Sequence, residues 1–159
     1  MRNNKIFIDD FYIDYNGIRH PINGKEKLEY PLLDSNEYIY AKWIIDTFGG
    51  NIRMVPRINT EKGNIEKAKV KTPDYTRNDE RWDLKELGNV KSKRAVTNAI
   101  MPHKDQANNF FIDISNCKLS TKEIIKQVKN IFNDSKYRIS WVNKIIITKK
   151  GKIIETYKK

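Results

Sequence analysis

The chain has 159 residues, enough for one domain with a real core, and its 31 lysines and arginines outweigh 20 aspartates and glutamates to give a formal net charge of +11. That excess points to polyanionic partners, nucleic acid first, with an acidic protein equally compatible. The single cysteine, Cys117, excludes an internal disulfide and a thiolate zinc cage, and with only His20 and His103 a multi-histidine metal site is nearly excluded.

No apolar run approaches a membrane span. The opening Met1-Arg2-Asn3-Asn4-Lys5, then Ile6-Phe7-Ile8 and Asp9-Asp10, is too short and too quickly acidic for a signal peptide. The expectation is a chain that acts in the cytoplasm, where it is made or after delivery into a target cell. Residues 6–15 alternate loosely, and the turns Asn16-Gly17 and Asn23-Gly24 bracket a strand ending near His20-Pro21. Residues 1–30 therefore read as an N-terminal β-hairpin extension, a flap or an edge addition. Residues 31–159 read as the catalytic domain, the two forming one compact whole.

A first helix is expected over Asn36–Phe48, capped by Asp34 or Ser35 and ended by Gly49-Gly50, with Ala41, Ile44, Ile45 and Phe48 as its apolar stripe. Glu37 lies one turn before Ala41 on that stripe. It is either a first-turn carboxylate satisfied by backbone N–H groups or an acid directed to a site, and the residues leave both open. A strand over residues 51–58 is interrupted or ended by Pro56, and the polar residues 59–69 read as a loop.

Residues 70–75 and 81–87 read as two strands joined by Arg77-Asn78-Asp79-Glu80. If Asn78-Asp79 is the two-residue loop, facing residues sum to 157, and Asp74 lies opposite Asp83. Facing side chains on a hairpin are roughly 4.5–5.5 Å apart at Cβ, and bare carboxylates at that range repel. A divalent cation reverses the sign of that term. Lys85 points the same way as Asp83, two residues on. The bland alternative is a hairpin with charges on its wet face.

Residues 92–107 have helical periodicity through Val96, Ala99, Ile100 and His103, with Pro102 expected to kink or split the helix. Residues 109–115 are a buried strand. Ser120-Thr121-Lys122-Glu123 is a capping box opening a helix whose face carries Ile124, Ile125, Val128, Ile131 and Phe132. Residues 144–148 form a core strand, and 152–157 an edge strand. The order predicts an α/β fold with mixed helices and strands around a central sheet. Trp43, Trp82 and Trp141 are expected in the core, with Tyr75 or Tyr12 as the aromatics able to stack on a base.

The order of elements, with Pro73-Asp74, Asp83-x-Lys85 and Glu37 on the preceding helix, resembles the PD-(D/E)xK nuclease superfamily. A closer resemblance covers roughly residues 11–157. It rests on Tyr40-Ala41-Lys42-Trp43 with Phe48-Gly49-Gly50; Lys71-Thr72-Pro73-Asp74-Tyr75; Trp82-Asp83-Leu84-Lys85-Glu86; and the stretch Gln106-Ala107-Asn108-Asn109-Phe110-Phe111-Ile112-Asp113-Ile114. These are similar to the C-terminal tRNA-nuclease domain of CdiA-type contact-dependent inhibition toxins, relatives of which occur on phages and mobile elements.

The resemblance implies a toxin that hydrolyses phosphodiester bonds, in tRNA, neutralised by an immunity protein, which the basic charge makes an acidic one. It implies Mg²⁺ or Mn²⁺ held by Asp74, Asp83 and Glu37, with Lys85 assisting catalysis. Lys91, Lys93, Arg94, His103, Lys104 and Gln106 are the expected nucleic-acid contacts, although Lys91, Lys93, Arg94 and Lys104 also suit a solvated helix face. Alternatives remain: a metal-independent barnase/colicin/RelE-like ribonuclease with His103 as general acid or base, a DNA endonuclease, or a non-catalytic nucleic-acid-binding protein. A monomer or small homo-oligomer is expected.

Overall fold

A computed structural model describes residues 6–8, 11–13, 19–21, 27–29, 35–55, 57–59, 73–136 and 138–159. The expected turns at Asn16-Gly17 and Asn23-Gly24, the break at Pro56, most of the 59–69 loop and residues 70–72 lie outside them. The chain divides into two units: Met1–Trp82 with Asp105–Ala107, and Asp83–Lys104 with Asn108–Lys159. Among the described residues no helix is long and apolar enough to cross a membrane.

In the first unit β1 (Ile6–Ile8) runs parallel to β5 (Ile52–Met54). β2 (Phe11–Ile13) pairs with β3 (Arg19–Pro21), and β4 (Lys27–Glu29) with β6 (Arg57–Asn59), each pair antiparallel. The N-terminal residues thus supply both a hairpin and an edge addition. β5 alternates, with Ile52 and Met54 buried and Arg53 exposed, as a strand with one wet face must.

Helix α1 (Asn36–Phe48) has the expected limits. Ser35 Oγ accepts from the Tyr38 N–H at 3.2 Å, and Ala41, Ile44 and Ile45 are buried. Gly49, at φ 69°, stops the helix where a side chain would be strained. Arg77 covers the freed carbonyls. Its Nη2 donates to Phe48 O at 3.4 Å and Gly49 O at 3.1 Å, and its guanidinium lies 5.5 Å from the Phe48 ring centroid. A cation there meets the negative end of the helix dipole. At the other end the fully buried Tyr75 donates its hydroxyl to the Glu37 carbonyl at 2.6 Å. That position removes Tyr75 as a base-stacking aromatic.

Strands β7 (Tyr75–Arg77) and β8 (Glu80–Glu86) pair in the expected register, with Tyr75 opposite Trp82 and Arg77 opposite Glu80. Asn78 and Asp79 turn the chain at φ 51° and 61°. Positive φ at both positions marks the turn that matches strand twist. Trp82 is 2% exposed and packs as a core residue.

The second unit contains the end of β8, then α2 (Ala95–Ile100), a single 3₁₀ turn over Met101–His103, β9 (Asn109–Asp113), α3 (Thr121–Asn133), β10 (Lys144–Lys149) and β11 (Lys152–Lys158). Its strand order is β8-β9-β10-β11. β9 is parallel to β10, with α3 as the crossover, and β10 is antiparallel to β11. A central parallel strand is covered on both faces, so Phe110, Phe111 and Ile112 are all buried in succession. Pro102 splits the expected helix: it lacks the N–H that an α-helix needs, and α2 passes into the tighter turn at Met101.

The capping box forms at α3, where Ser120 Oγ accepts from the Glu123 N–H at 3.1 Å. Ile124, Val128 and Ile131 are buried on its inner stripe, and so is Gln127, 6% exposed. Helix α2 has no side-chain cap of its own at Arg94. Gln127 supplies it from across the interface: Oε1 accepts from Val96 N–H at 3.1 Å and Nε2 donates to Ser92 O at 3.2 Å.

Two stability changes are expected. Gln127→Leu leaves the Val96 N–H and Ser92 carbonyl without their partner and destabilises the protein by about 1–3 kcal/mol in denaturant unfolding; an unchanged midpoint refutes the cross-helix cap. Asp79→Gly relieves a positive-φ side chain and raises stability by about 0.5 kcal/mol, read from the same titration.

Candidate functional site

The sequence pattern that places Asp83 and Lys85 on one side of β8 is obeyed, and it leads inward. Strand β8 buries Trp82, Asp83 and Leu84 in succession. Asp83 is 2% exposed, which few carboxylates tolerate without compensation. Two cationic or cation-capable groups face its Oδ2. Lys85 Nζ forms an ion pair with it, and His103 Nδ1 lies 3.4 Å away, their side chains 16% and 30% exposed. All three belong to the second unit.

The approach of His103 follows from the break at Pro102. A continued α-helix advances 100° per residue, whereas the 3₁₀ turn advances about 120° and rises faster, redirecting the side chain. The structure sets His103, which the sequence offers as a nucleic-acid contact or a general acid or base, against Asp83.

Proximity alone does not satisfy Asp83. Its Oδ2 accepts no well-angled hydrogen bond, although it is buried and faces two nitrogens. That oxygen already lies against the Lys85 ammonium, so a hard cation would share it with the lysine. Mg²⁺ is usually held by one or two carboxylates with water completing the shell, so Asp83 fits a site with few protein ligands. Among the described residues no group of three or more His, Cys, Asp or Glu is placed to hold a metal; Glu37 and Asp74 belong to the first unit and Asp83 to the second. Glu37 occupies the first turn of α1, where an acidic residue suits the helix dipole.

Asp74 lies in the bend before β7, half-buried, and its carbonyl accepts from the Val55 N–H at 3.1 Å. The β7–β8 ladder ends at Tyr75–Trp82, so the expected pairing of Asp74 with Asp83 is not part of it. Gln106 is half-buried in the first unit, beside Asp105, whose carbonyl accepts from Arg81 Nη1 at 3.3 Å. Lys91, Lys93, Arg94 and Lys104 are exposed in the second unit. Of these, Lys93 and Arg94 line a cavity of about 400 Å³ with Lys126 and Gln127 of α3. The sequence reading missed Gln127, yet its signal is visible: one amide on the stripe of Ile124, Val128 and Ile131 must be bonded if it is buried.

Comparison with known proteins places this geometry in a family. No curated protein matches the chain. A solved CdiA-CT/CdiI toxin and immunity complex from Burkholderia pseudomallei has a chain of similar fold, with a TM-score of 0.54 and 19% identity over 82% of this chain and 94% of that one. The model of the contact-dependent growth inhibition CdiA C-terminal domain matches residues 71–153, more than half of the sequence. The chain belongs to that family of growth-inhibition toxin domains.

Proposed function

We propose that this domain is a metal-dependent ribonuclease, with tRNA as its substrate and an acidic immunity protein as its antagonist. The observation that carries the reading is the buried Asp83 carboxylate held against Lys85 with one oxygen lacking a directed hydrogen bond. The family match, the +11 charge and the solved relative's pairing with an immunity protein support it. The ribose-containing substrate rests on the family likeness, since no base-reading motif is present.

A bound divalent cation supplies charge neutralisation at the phosphate and Lewis acidity. The chain's own residues do the rest. Asp83 would provide the anchoring oxygen, and Asp74 is the second acid that the family likeness alone supplies. Lys85 Nζ, on the same side of β8 as Asp83, binds a non-bridging oxygen of the scissile phosphate and stabilises the charge that builds in the transition state. Burial keeps bulk water from screening that interaction.

A second reading is favoured by the 3.4 Å approach of His103 to Asp83. With Nδ1 turned to the carboxylate, Nε2 is the nitrogen to take a proton from a ribose 2′-hydroxyl. The oxygen then attacks phosphorus, the P–O5′ bond breaks, the departing 5′-oxygen takes a proton from solvent water, and a 2′,3′-cyclic phosphate results.

The purified domain incubated with total RNA separates these readings. Water attack gives linear phosphate ends, is lost in EDTA and returns with Mg²⁺ or Mn²⁺, and His103→Ala costs less than about tenfold. Cleavage that persists in EDTA, gives cyclic ends and falls about 10²–10⁴-fold in His103→Ala establishes the second reading instead. Asp83→Asn is expected to abolish cleavage under either.

Burial also changes what a lysine variant reports. Lys85→Met strands a buried carboxylate and is expected to cost about 3–5 kcal/mol. The double variant Asp83→Asn/Lys85→Met regains most of that stability and stays inactive. A fully active double variant would falsify the assignment of this pair to catalysis.

A further inference from the structure

The cavity between α2 and α3 does not end at Arg94. A second cavity, of about 280 Å³, adjoins it, with Arg94 and Thr97 lining both. Its far side carries Lys136, Arg138 and Trp141. Together the walls present Lys93, Arg94, Lys126, Lys136 and Arg138, all exposed, against one acidic residue, Glu123. The floor offers little to a small polar ligand, because Gln127 is already committed to Val96 and Ser92. Recognition therefore falls to the charged rim, which suits a chain of phosphates rather than a compact molecule.

Trp141 adds a different element. It is half-buried and meets Phe110 edge-on at 5.9 Å, so its ring is held rather than loose. A fixed aromatic beside a line of cations is the combination that single-stranded nucleic acids use, because an unpaired base has a free face to stack. Each cavity is about the size of a small-molecule cleft. Met101 lines the second cavity, and His103, two residues on in the same 3₁₀ turn, faces Asp83. Side chains two apart in such a turn diverge by roughly 120° while rising about 4 Å. The groove and the acid thus share one turn of backbone.

The geometry points to this paired cavity as a binding groove for a single-stranded RNA segment flanking the scissile phosphate. The inference rests on the ribonuclease reading and extends it to α3, Lys136 and residues 138–141.

The test is binding of a short labelled single-stranded RNA to the full chain carrying Asp83→Asn, so that affinity is read without turnover. Adding Lys126→Gln and Arg138→Gln, both exposed, is expected to weaken binding roughly tenfold or more at low salt. The slope of log affinity against log salt should shrink by about 1.4, the share of two phosphate contacts on a single strand. Trp141→Leu should weaken an RNA more than its abasic counterpart of equal length.

Unchanged affinity and salt slope in the double variant overturn the groove. So does tighter binding of a DNA strand of the same sequence. Displacement of the RNA by polyglutamate of matched charge overturns it as well, in favour of an acidic protein as occupant. Each of these is distinct from failure of the enzymatic reading, in which the unmodified domain cleaves no RNA whether or not the groove binds it.

Discussion

A carboxylate withdrawn from water inside a sheet is the constraint on which the second unit turns. Asp83 is flanked in β8 by Trp82 and Leu84, both buried, so it cannot swing out to solvent without undoing the strand. An isolated ion in that position would be intolerable. The fold answers with Lys85 from the same strand and His103 from the turn after α2. Charge balance alone would be met by one good bidentate pair. What is found is an oxygen with charge nearby and no directed hydrogen bond.

Holding His103 there requires α2 to be well placed, and α2 is short. It has six residues and no cap from its own N-terminal side chain. A helix of that length has no stability of its own in water. Its position is set by packing on α3 and by the amide of Gln127, which bonds a donor at its first turn and the carbonyl of Ser92 just before it. The same amide therefore fixes both the segment bearing His103 and the backbone on which Lys93 and Arg94 stand. A single buried polar group couples the orientation of the acid's neighbour to that of the basic groove.

The first unit shows a related economy at the ends of α1. Its N-terminus is closed by Ser35, its C-terminal carbonyls by Arg77, and the Glu37 carbonyl by the Tyr75 hydroxyl. The two tertiary partners come from β7, so the strand that leads into the Asn78-Asp79 turn is pinned to both ends of the helix. A tight turn with positive φ at both central residues costs backbone energy, which these contacts help to offset.

Local rules made much of this legible in the linear chain. Ser35 and the Ser120–Glu123 box marked their helices because orphan N–H groups need an acceptor within three residues. Pro102 marked a break because it has no N–H, and the register of β7 and β8 followed from a two-residue turn. The shared side of Asp83 and Lys85 was also visible, since strand alternation puts residues two apart on one side. Tertiary packing decided what sequence separation conceals. Glu37 was open between a helix-end role and a metal role, and it stands in the first turn of α1. His103 met Asp83 across twenty positions, and Gln127 reached Val96 across 31. Periodicity reports which face of an element is buried, but not which other element covers it; that choice belongs to long-range packing, where the free energy of burial is realised.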